Sequence, residues 1–447
     1  MTGALRFDLL HAGTPLSESY SITAVHRELQ SDTCLAGSLD PRGEYRWVLV
    51  SPDGRVLASR GFSALFAEWQ STVVGESEEQ HADFSESHCI PWYPDAIMRI
   101  ERRVQADRYR TVFEFVLQKQ IVAAAGAEPT VGQRILRQLY GRGGVHFLLV
   151  SEGYTATESD RFFHDARRAS ETILAASPYR ELACSLSVSA LLVPCRESGI
   201  PPTPGRSEDT TSFATAYNTF GMARYLVPLD LHALRRATTG IQHATLIVLA
   251  NSSNYGGSGV FNSNCCVAAQ MACEDFSYVL LHELGHSLGG LADEYFGGPI
   301  AYSIEADAGK CAWEPNVSLL DENGRVKWAS RISPDVPVPT PWSHADYLRL
   351  AARAEAANRP GEEGSVASAD RTRRRSDEAQ LLAREPYRGR IGAFTGAHYR
   401  PFGMYRPEVD CRMFSRSAET YCTICTETIT QAIGVALGSN TALTPQS

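Results

Sequence analysis

The run YVLLHELGHSLGGLADEYF most constrains this chain, because it predicts one helix and the point where that helix ends. Apolar residues in this run and just before it recur at helical spacing, which indicates a helix with one buried side. They are Phe276, Val279, Leu280 and Leu284. Gly289 and Gly290 follow, and glycine tolerates the left-handed conformation that closes helices. The sequence therefore predicts a helix that stops at this glycine pair.

Two histidines on the predicted helix indicate a metal site. His282 and His286 are at positions i and i+4, which share a helix face, so both imidazoles can bind one ion. Glu283 follows the first histidine and can reach a water molecule on that ion. Two neutral nitrogens and a nearby carboxylate suit Zn²⁺, which lowers the pKa of a bound water to about 7. The alternative is a buried helix with two hydrogen-bonded histidines. The carboxylates just after the glycine pair, Asp293 and Glu294, favour the metal.

The composition indicates an ordinary globular protein and excludes several classes. A chain of 447 residues exceeds the usual size of one hydrophobic core, so two domains are expected. The net charge of −9 does not predict binding to nucleic acid, which usually requires a basic surface. No apolar run is long enough to cross a bilayer. The N-terminal residues lack the basic start and apolar stretch of an export signal, so none is predicted in the chain as written.

The chain is expected to have a mixed α+β fold with two regions of different character. Residues 1–120 contain β-rich runs separated by turn residues, which predicts an accessory antiparallel β-sandwich. Residues 121–144 are interpreted as a linker. Residues 145–440 alternate strands and helices, which predicts a catalytic domain built on a sheet with covering helices. Within it, residues 353–385 are charged and poor in aromatics, which is typical of a mobile insertion.

Local signals place several elements of the second region. VHFLLVS, LSVSALLVPC and ATLIVLA are predicted as strands. Thr155 and Glu158 have the spacing of a capping box at the start of an amphipathic helix. The apolar side of that helix carries Phe162, Phe163, Ala166 and Ile173.

Several separated motifs together resemble those of a known family. These are HELGHSLGGLADEY, the upstream loop YGGSGVFN, the strand and loop LLVSEGYT, and the distal block YRPEVDCRMFSRSAETYCTIC. In this order they resemble the IgA-peptidase family of zinc metalloendopeptidases, over roughly residues 145–435. The N-terminal region also resembles that family's accessory domain. The resemblance implies a metzincin-like catalytic domain, a protein or peptide substrate, and a secreted or cell-envelope location.

The resemblance also implies roles for individual residues. His282 and His286 would be zinc ligands, and Glu283 would be the general base. Asp293 would be the third ligand. Met413 would be the methionine of a tight turn that lies beneath the metal in metzincin-like folds.

The third ligand departs from the usual pattern of such folds. The common spacing places it six residues after the second histidine, where this chain has Ala292, which cannot coordinate. Asp293 lies one residue later, with Gly290 as the extra residue. Glu294 is the alternative, either as the ligand or as a group that orients a histidine.

Two neighbouring features leave alternatives open. A second donor to the oxyanion is expected near the methionine turn. The candidates are Tyr399, Arg400, Tyr405 and Arg406. The alternative for each is ordinary packing or exposure at the surface. The strand before the helix often borders the substrate cleft in metzincin-like folds. Residues 255–259 are therefore either the rim of that cleft, where glycine permits close backbone approach, or a flexible connection.

Eleven cysteines are interpreted as mostly buried thiols, with one or two local bridges if the protein is exported. Cys411, Cys422 and Cys425 include a CxxC spacing, which zinc sites use. Four ligands would be required, and the nearby sequence offers neither a histidine nor a second CxxC. Core thiols, or a disulfide that fixes the methionine turn, are favoured.

The predicted function is that of a zinc-dependent endopeptidase with one catalytic ion. Two alternatives remain: a zinc hydrolase acting on a nonpeptide amide or ester, and a noncatalytic binding protein on the same fold. The second is expected to lack the general base, and Glu283 is present.

Overall fold

The computed structural model describes residues 4–28, 42–72, 80–105, 107–118, 132–204, 211–296, 312–357 and 365–438. These residues form two compact units. The first unit contains the described residues up to Gly290 and those from Thr430 onward, and the second contains those from Leu291 to Ile429. No helix in the described part of the chain has both the length and the apolar character that crossing a membrane requires.

The first unit begins with two antiparallel sheets. One sheet has the order β2-β1-β5, with β1 at Ala4–Thr14, β2 at Ser17–Glu28 and β5 at Ala82–Pro91. The other has the order β4-β3-β6-β7, with β3 at Tyr45–Val50, β4 at Val56–Phe62, β6 at Ile97–Gln105 and β7 at Arg108–Val116. A short helix, α1 (Leu65–Thr72), follows β4.

The two sheets share one apolar core. Successive side chains of a strand point to opposite faces, so alternate residues of β1 and β3 turn toward the same interior. Leu5, Phe7 and Leu9 come from the first sheet, and Trp47 and Leu49 from the second; all are buried in one cluster. Two sheets that face each other across such a core fit the predicted β-sandwich.

A buried polar network crosses this core. His11 Nδ1 lies 2.7 Å from Glu86 Oε1, and His11 Nε2 lies 3.3 Å from Glu18 Oε2. The Tyr45 hydroxyl donates to the same Glu18 oxygen at 2.7 Å. Burial alone would raise the pKa of Glu86, but the charge of His11 and hydrogen bonds from His11 and His88 lower it to about 2. The pKa of Glu18 is also lowered to about 2, because the hydrogen bond from His11 and the charge of Arg102 outweigh burial.

A mixed six-stranded sheet forms the centre of the rest of the first unit. Its order is β12-β13-β11-β9-β10-β8, with β8 at Ile135–Tyr140, β9 at Val145–Glu152, β10 at Leu186–Leu192, β11 at Thr245–Ala250, β12 at Gly257–Val260 and β13 at Asn264–Ala268. The four inner strands are parallel, and both edge strands are antiparallel to their neighbours. Parallel strands covered on both faces read as continuous apolar runs, which is why the sequence predicted β9, β10 and β11 correctly.

Three helices accompany this sheet. They are α2 (Ser159–Ala175), α3 (Leu231–Thr238) and α4 (Cys273–Gly289). The predicted apolar side of α2 is confirmed, since Phe162, Phe163, Ala166 and Ile173 are buried. The predicted capping box is also present, and the Thr155 backbone N–H donates to Glu158 Oε2 at 2.9 Å.

The second unit has less regular structure. Its elements are α5 (His344–Ala357), α6 (Ser365–Ala383), β14 (Phe394–Ala397), β15 (Arg400–Arg406) and the start of α7 (Thr423–Ala436). The charged stretch 353–385 thus contains the end of α5 and all of α6, and residues 358–364 within it lie outside the described residues. The buried Arg406 guanidinium lies over the rings of Trp342 and Phe414, at 4.4 and 3.8 Å from their centroids.

We predict that Glu86→Gln lowers the free energy of unfolding by about 3–5 kcal/mol, because the variant removes the nearer of the two charged partners of the buried His11. Urea titration at neutral pH measures the change. The matched control is Glu114→Gln, whose ion pair with Arg99 is exposed, and we expect a change below about 1 kcal/mol there. Equal effects of the two variants would contradict a stabilising role for the buried network.

The same network predicts how stability depends on pH. The folded pKa of Glu86 and Glu18 is about 2, below the ordinary 4.5, so their contribution is present above pH 4.5 and is lost as pH falls toward 2. The pKa of His11 is raised above 6.5, because its two carboxylate partners outweigh burial, so its contribution is lost as pH rises through the folded value. Urea titrations between pH 2 and pH 4.5 should show that the free energy of unfolding falls less steeply with decreasing pH in Glu86→Gln than in the wild type. The same pH dependence in the variant and the wild type would contradict this role of Glu86.

Candidate active site

The end of α4 confirms the glycine stop. Gly290 has φ 62° and ψ 36°, the left-handed conformation, and its backbone N–H donates to the His286 carbonyl at 2.9 Å. One turn of helix separates His282 from His286, and their Nε2 atoms lie 3.1 Å apart with nearly perpendicular rings. The sequence-predicted pair is therefore brought together.

Tyr278 contacts the far side of the first histidine. Its hydroxyl lies 3.4 Å from His282 Nδ1, and the two rings stack with centroids 5.3 Å apart. A contact at Nδ1 favours the orientation in which Nε2 of His282 faces Nε2 of His286.

The edge strand β12 lies against the helix that carries the histidines. A Cβ atom at Gly259 would lie 2.2 Å from the Glu283 carbonyl oxygen and 2.8 Å from His286 Cβ. A Cβ atom at Gly257 would lie 2.6 Å from a Val279 methyl carbon and 3.1 Å from Glu283 Cγ. Only glycine permits this approach at positions 257 and 259.

A carboxylate that the sequence did not single out lies near the same helix. Glu68 of α1 is half-buried and accepts a hydrogen bond from the Tyr225 hydroxyl at 2.5 Å. Burial raises the pKa of Glu68 to about 7, against the Tyr225 hydrogen bond and the charge of His286, which lower it. No local motif marks Glu68, since α1 and α4 are distant in sequence.

The segment after the glycine stop is held by the turn before β15. The His398 backbone N–H donates to the Asp293 carbonyl at 3.0 Å, and that of Tyr399 donates to the Tyr295 carbonyl at 2.9 Å. The Tyr399 hydroxyl donates to Asp293 Oδ2. His398 and Tyr399 both have positive φ, at 51° and 62°, which shows how tightly this turn bends around the segment.

His282 and His286 belong to a group of side chains that could hold a metal ion. Asp293 follows Gly290 by three positions, and its Oδ2 atom accepts from the Tyr399 hydroxyl. Ala292, at the common position of the third ligand, is instead buried in an apolar cluster with Val317 and Met404.

Glu294 belongs to a second group of possible metal ligands. Its carboxylate is fully buried, and its ligand atom lies within 4.8 Å of the sulfur atoms of Cys411, Cys422 and Cys425. The Asn316 side-chain amide donates to Glu294 Oε1 at 2.9 Å. Asn316 also pairs with both the backbone N–H and the carbonyl of Ala292. No signal in the sequence pointed to Asn316.

Met413 lies in a tight turn. The Phe414 backbone N–H donates to the Cys411 carbonyl at 2.8 Å, and the Met413 carbonyl accepts from the Glu294 backbone N–H at 2.8 Å. The sulfur of Cys411 accepts from the backbone N–H groups of Cys422 and Met413. Despite burial, hydrogen bonds from the other two thiols and these N–H groups hold the pKa of Cys411 well below its ordinary value.

Most of the described cysteines are buried thiols, as the sequence predicted. The free thiols buried in the structure are Cys195, Cys265, Cys266, Cys411, Cys422 and Cys425. Cys89 is disulfide-bonded, and Cys34 and Cys311 lie outside the described residues.

The four candidate oxyanion donors have different surroundings. Tyr399 donates to Asp293, and Arg400 is half-buried at the start of β15. Tyr405 pairs through its backbone with Ser318. Arg406 is fully buried, and its guanidinium donates to the carbonyls of Thr395, Gly396 and Val409.

Two protein-family models match the chain, and the larger match includes the residues of the candidate active site. The family model for IgA Peptidase M64 matches residues 142–433, and the model for the Peptidase M64 N-terminus matches residues 1–114. The chain belongs to the IgA peptidase M64 family. M64 membership supports a peptidase, that is, a hydrolase with a protein substrate. Among curated proteins, none matches the chain.

We predict that Gly259→Ala destabilises this M64 protein by about 1–3 kcal/mol, because the added methyl group has no space between β12 and α4. The control is Gly434→Ala in α7, where a Cβ atom would meet nothing within 4 Å. A helix position of that kind gains up to about 1 kcal/mol from alanine. Urea unfolding compares the two variants, and wild-type stability of Gly259→Ala would contradict the close approach.

Proposed function

We propose that this M64 peptidase is a zinc-dependent endopeptidase with one catalytic ion bound by His282, His286 and Asp293. Glu283 is the general base. The observation that carries the proposal is that the Nε2 atoms of His282 and His286 lie 3.1 Å apart, one turn from each other on the same helix.

The distances and donor types suit zinc. Zn–N bonds of about 2.0–2.1 Å in a tetrahedral site place two nitrogens about 3.3 Å apart. The 3.1 Å between the Nε2 atoms of His282 and His286 is close to this value. Two histidines and one carboxylate leave a fourth position for water or substrate, as catalytic zinc sites require.

Asp293 is a better third ligand than either of its neighbours. Ala292 has no donor atom, and its methyl group packs in the apolar cluster. Glu294 is turned toward the three cysteines, with its Oε1 atom 3.2 Å from Cys425 Sγ. The hydroxyl of Tyr399 contacts Asp293 Oδ2 and orients the carboxylate, a role that partners of metal ligands commonly have.

The residues of the site divide the reaction between them. When bound, zinc supplies a Lewis acid that polarises the scissile carbonyl and activates a water molecule. Glu283, adjacent to the first ligand, accepts the proton from the attacking water and later gives it to the leaving amine nitrogen. Gly257 and Gly259 bring the edge strand β12 next to Glu283.

Several features support a metzincin-like arrangement for the catalytic region. The long helix carries both histidines and ends at a left-handed glycine. A carboxylate follows, and Met413 lies in a tight turn whose carbonyl accepts from Glu294. Family membership favours peptides over nonpeptide amides or esters, and the general base favours catalysis over binding alone.

We predict that Glu283→Ala keeps the wild-type zinc content but lowers kcat/KM by about 10²–10⁴-fold, because proton transfer is lost while the ligands remain. A cleaved peptide library, read by mass spectrometry, supplies a substrate for the measurement. The control is Glu274→Ala, an exposed glutamate in the first turn of the same helix, for which we expect wild-type turnover. Normal activity of Glu283→Ala would reject the mechanism.

We also predict that Asp293→Ala contains one zinc fewer per chain than the wild type, because the site loses its carboxylate ligand. Tyr399→Phe should retain that ion with an affinity about 10–100-fold lower, since only the orienting hydrogen bond is removed. Elemental analysis and chelator competition measure the two effects, with the exposed Asp335→Ala as control. Wild-type zinc content and affinity in Asp293→Ala would show that another group is the third ligand.

A further inference from the structure

The second unit contains a group of four ligand residues that the proposed catalytic site does not use. Glu294, Cys411, Cys422 and Cys425 are all buried, and one ligand atom from each lies within 4.8 Å of the others. Sequence reasoning set aside a metal at the three cysteines because a fourth ligand was missing. The fold supplies it from a position 128 residues before Cys422.

We propose that these four residues bind a second zinc ion with a structural role. Zn–S bonds of about 2.3 Å in a tetrahedral site place two sulfur atoms about 3.8 Å apart. The Sγ atoms of Cys411 and Cys425 are 3.8 Å apart. A carboxylate oxygen is expected about 3.5 Å from each sulfur. Glu294 Oε1 lies 3.2 Å from Cys425 Sγ and 3.8 Å from Cys422 Sγ.

The hydrogen bonds around the group suit thiolate ligands. The sulfur of Cys411 accepts from the backbone N–H of Cys422 at 3.1 Å and from that of Met413 at 3.4 Å. Backbone donors aimed at a sulfur atom stabilise its anionic form, which is the form that binds metal. The other carboxylate oxygen of Glu294, Oε2, is buried without a hydrogen-bond partner among the described residues. A cation in the group would compensate this buried carboxylate.

The electrostatic surroundings also fit a bound ion. Three thiolates and one carboxylate around Zn²⁺ have a net charge of about −2. The Arg406 guanidinium is fully buried, donates to carbonyl groups, and interacts electrostatically with both Glu294 and Cys411. A buried guanidinium needs nearby negative charge, and the metal–thiolate group provides it.

Competing uses of the cysteines fit the geometry less well. A disulfide requires two sulfur atoms about 2.05 Å apart, and all three cysteines are free thiols. A polynuclear iron–sulfur cluster distributes its protein ligands over two or more iron atoms. The four ligand atoms here lie within 4.8 Å of one another, which suits a single ion. Soft thiolate ligands exclude Mg²⁺ and Ca²⁺ and favour Zn²⁺.

This ion would fix the residues next to the catalytic ligands. Glu294 directly follows Asp293, and its backbone N–H donates to the Met413 carbonyl. A metal bound to Glu294 and Cys411 therefore joins the segment after the glycine stop to the methionine turn. Its role is to position Asp293, and it does not contact substrate.

The experiment counts metal in the full-length chain purified under reducing conditions. We expect two zinc equivalents in the wild type and one in the His282→Ala/His286→Ala double variant. Cys422→Ser/Cys425→Ser should contain one equivalent fewer than the wild type. The matched controls are Cys195→Ser, which removes another buried thiol, and Cys184→Ser, which removes an exposed one; both should keep two equivalents.

A spectroscopic readout makes the test independent of whether the cysteine variant folds. The chelator-treated histidine double variant is loaded with Co²⁺, and we expect a thiolate-to-cobalt charge-transfer band in the near ultraviolet. Histidine and carboxylate ligands cannot give this band. One zinc in the wild type and none in the histidine variant, with no charge-transfer band, would overturn the proposal. So would a disulfide among the three cysteines in non-reducing peptide mapping.

The two zinc proposals fail in distinguishable ways. If only the catalytic assignment is wrong, the wild type contains one zinc that the histidine variant retains. If only the second site is wrong, the wild type contains one zinc that the histidine variant loses.

Discussion

The turn at Gly290 is the constraint on which the candidate site depends. Its left-handed backbone ends the helix one turn after His286 and sends the chain into a short extended segment. Ala292 then packs in an apolar cluster, Asp293 meets the Tyr399 hydroxyl, and Glu294 faces the cysteines. Each of three consecutive residues has its own environment, so a shift of one residue would put every side chain in the wrong surroundings.

The extended segment after Gly290 is anchored although it belongs to none of the named strands. Asn316 pairs with the N–H and the carbonyl of Ala292, and His398 donates to the Asp293 carbonyl. Glu294 donates to Met413, and the Tyr295 carbonyl accepts from Tyr399. Buried backbone groups need such partners, and here they come from three separate places in the sequence. The carboxylates are thus held by a scaffold that is not apparent from the motif itself.

Local signals in the sequence predicted the parts of the fold that short-range physics determines. Apolar runs predicted β9 and β11, the capping box predicted the start of α2, and Gly290 predicted the end of α4. Contacts between residues that are far apart in the sequence could not be predicted from these local signals. Glu294 meets Cys422 across 128 positions, and nothing near either residue indicates the other. Glu68 and Asn316 belong to the same class, since neither is part of a motif.

The side-chain amide of Asn316 has a consequence for how the protein ages. The amide pairs with Ala292 as the backbone of a neighbouring strand would. Its oxygen accepts from the Ala292 backbone N–H, and its nitrogen donates to the Ala292 carbonyl. Hydrolysis of this amide during storage would leave an aspartate, which keeps the acceptor but has no hydrogen to give. The product would also bring a second negative charge next to Glu294, in surroundings closed to water. Slow chemical damage at one amide would thus change the surroundings of Glu294 while leaving that residue itself intact.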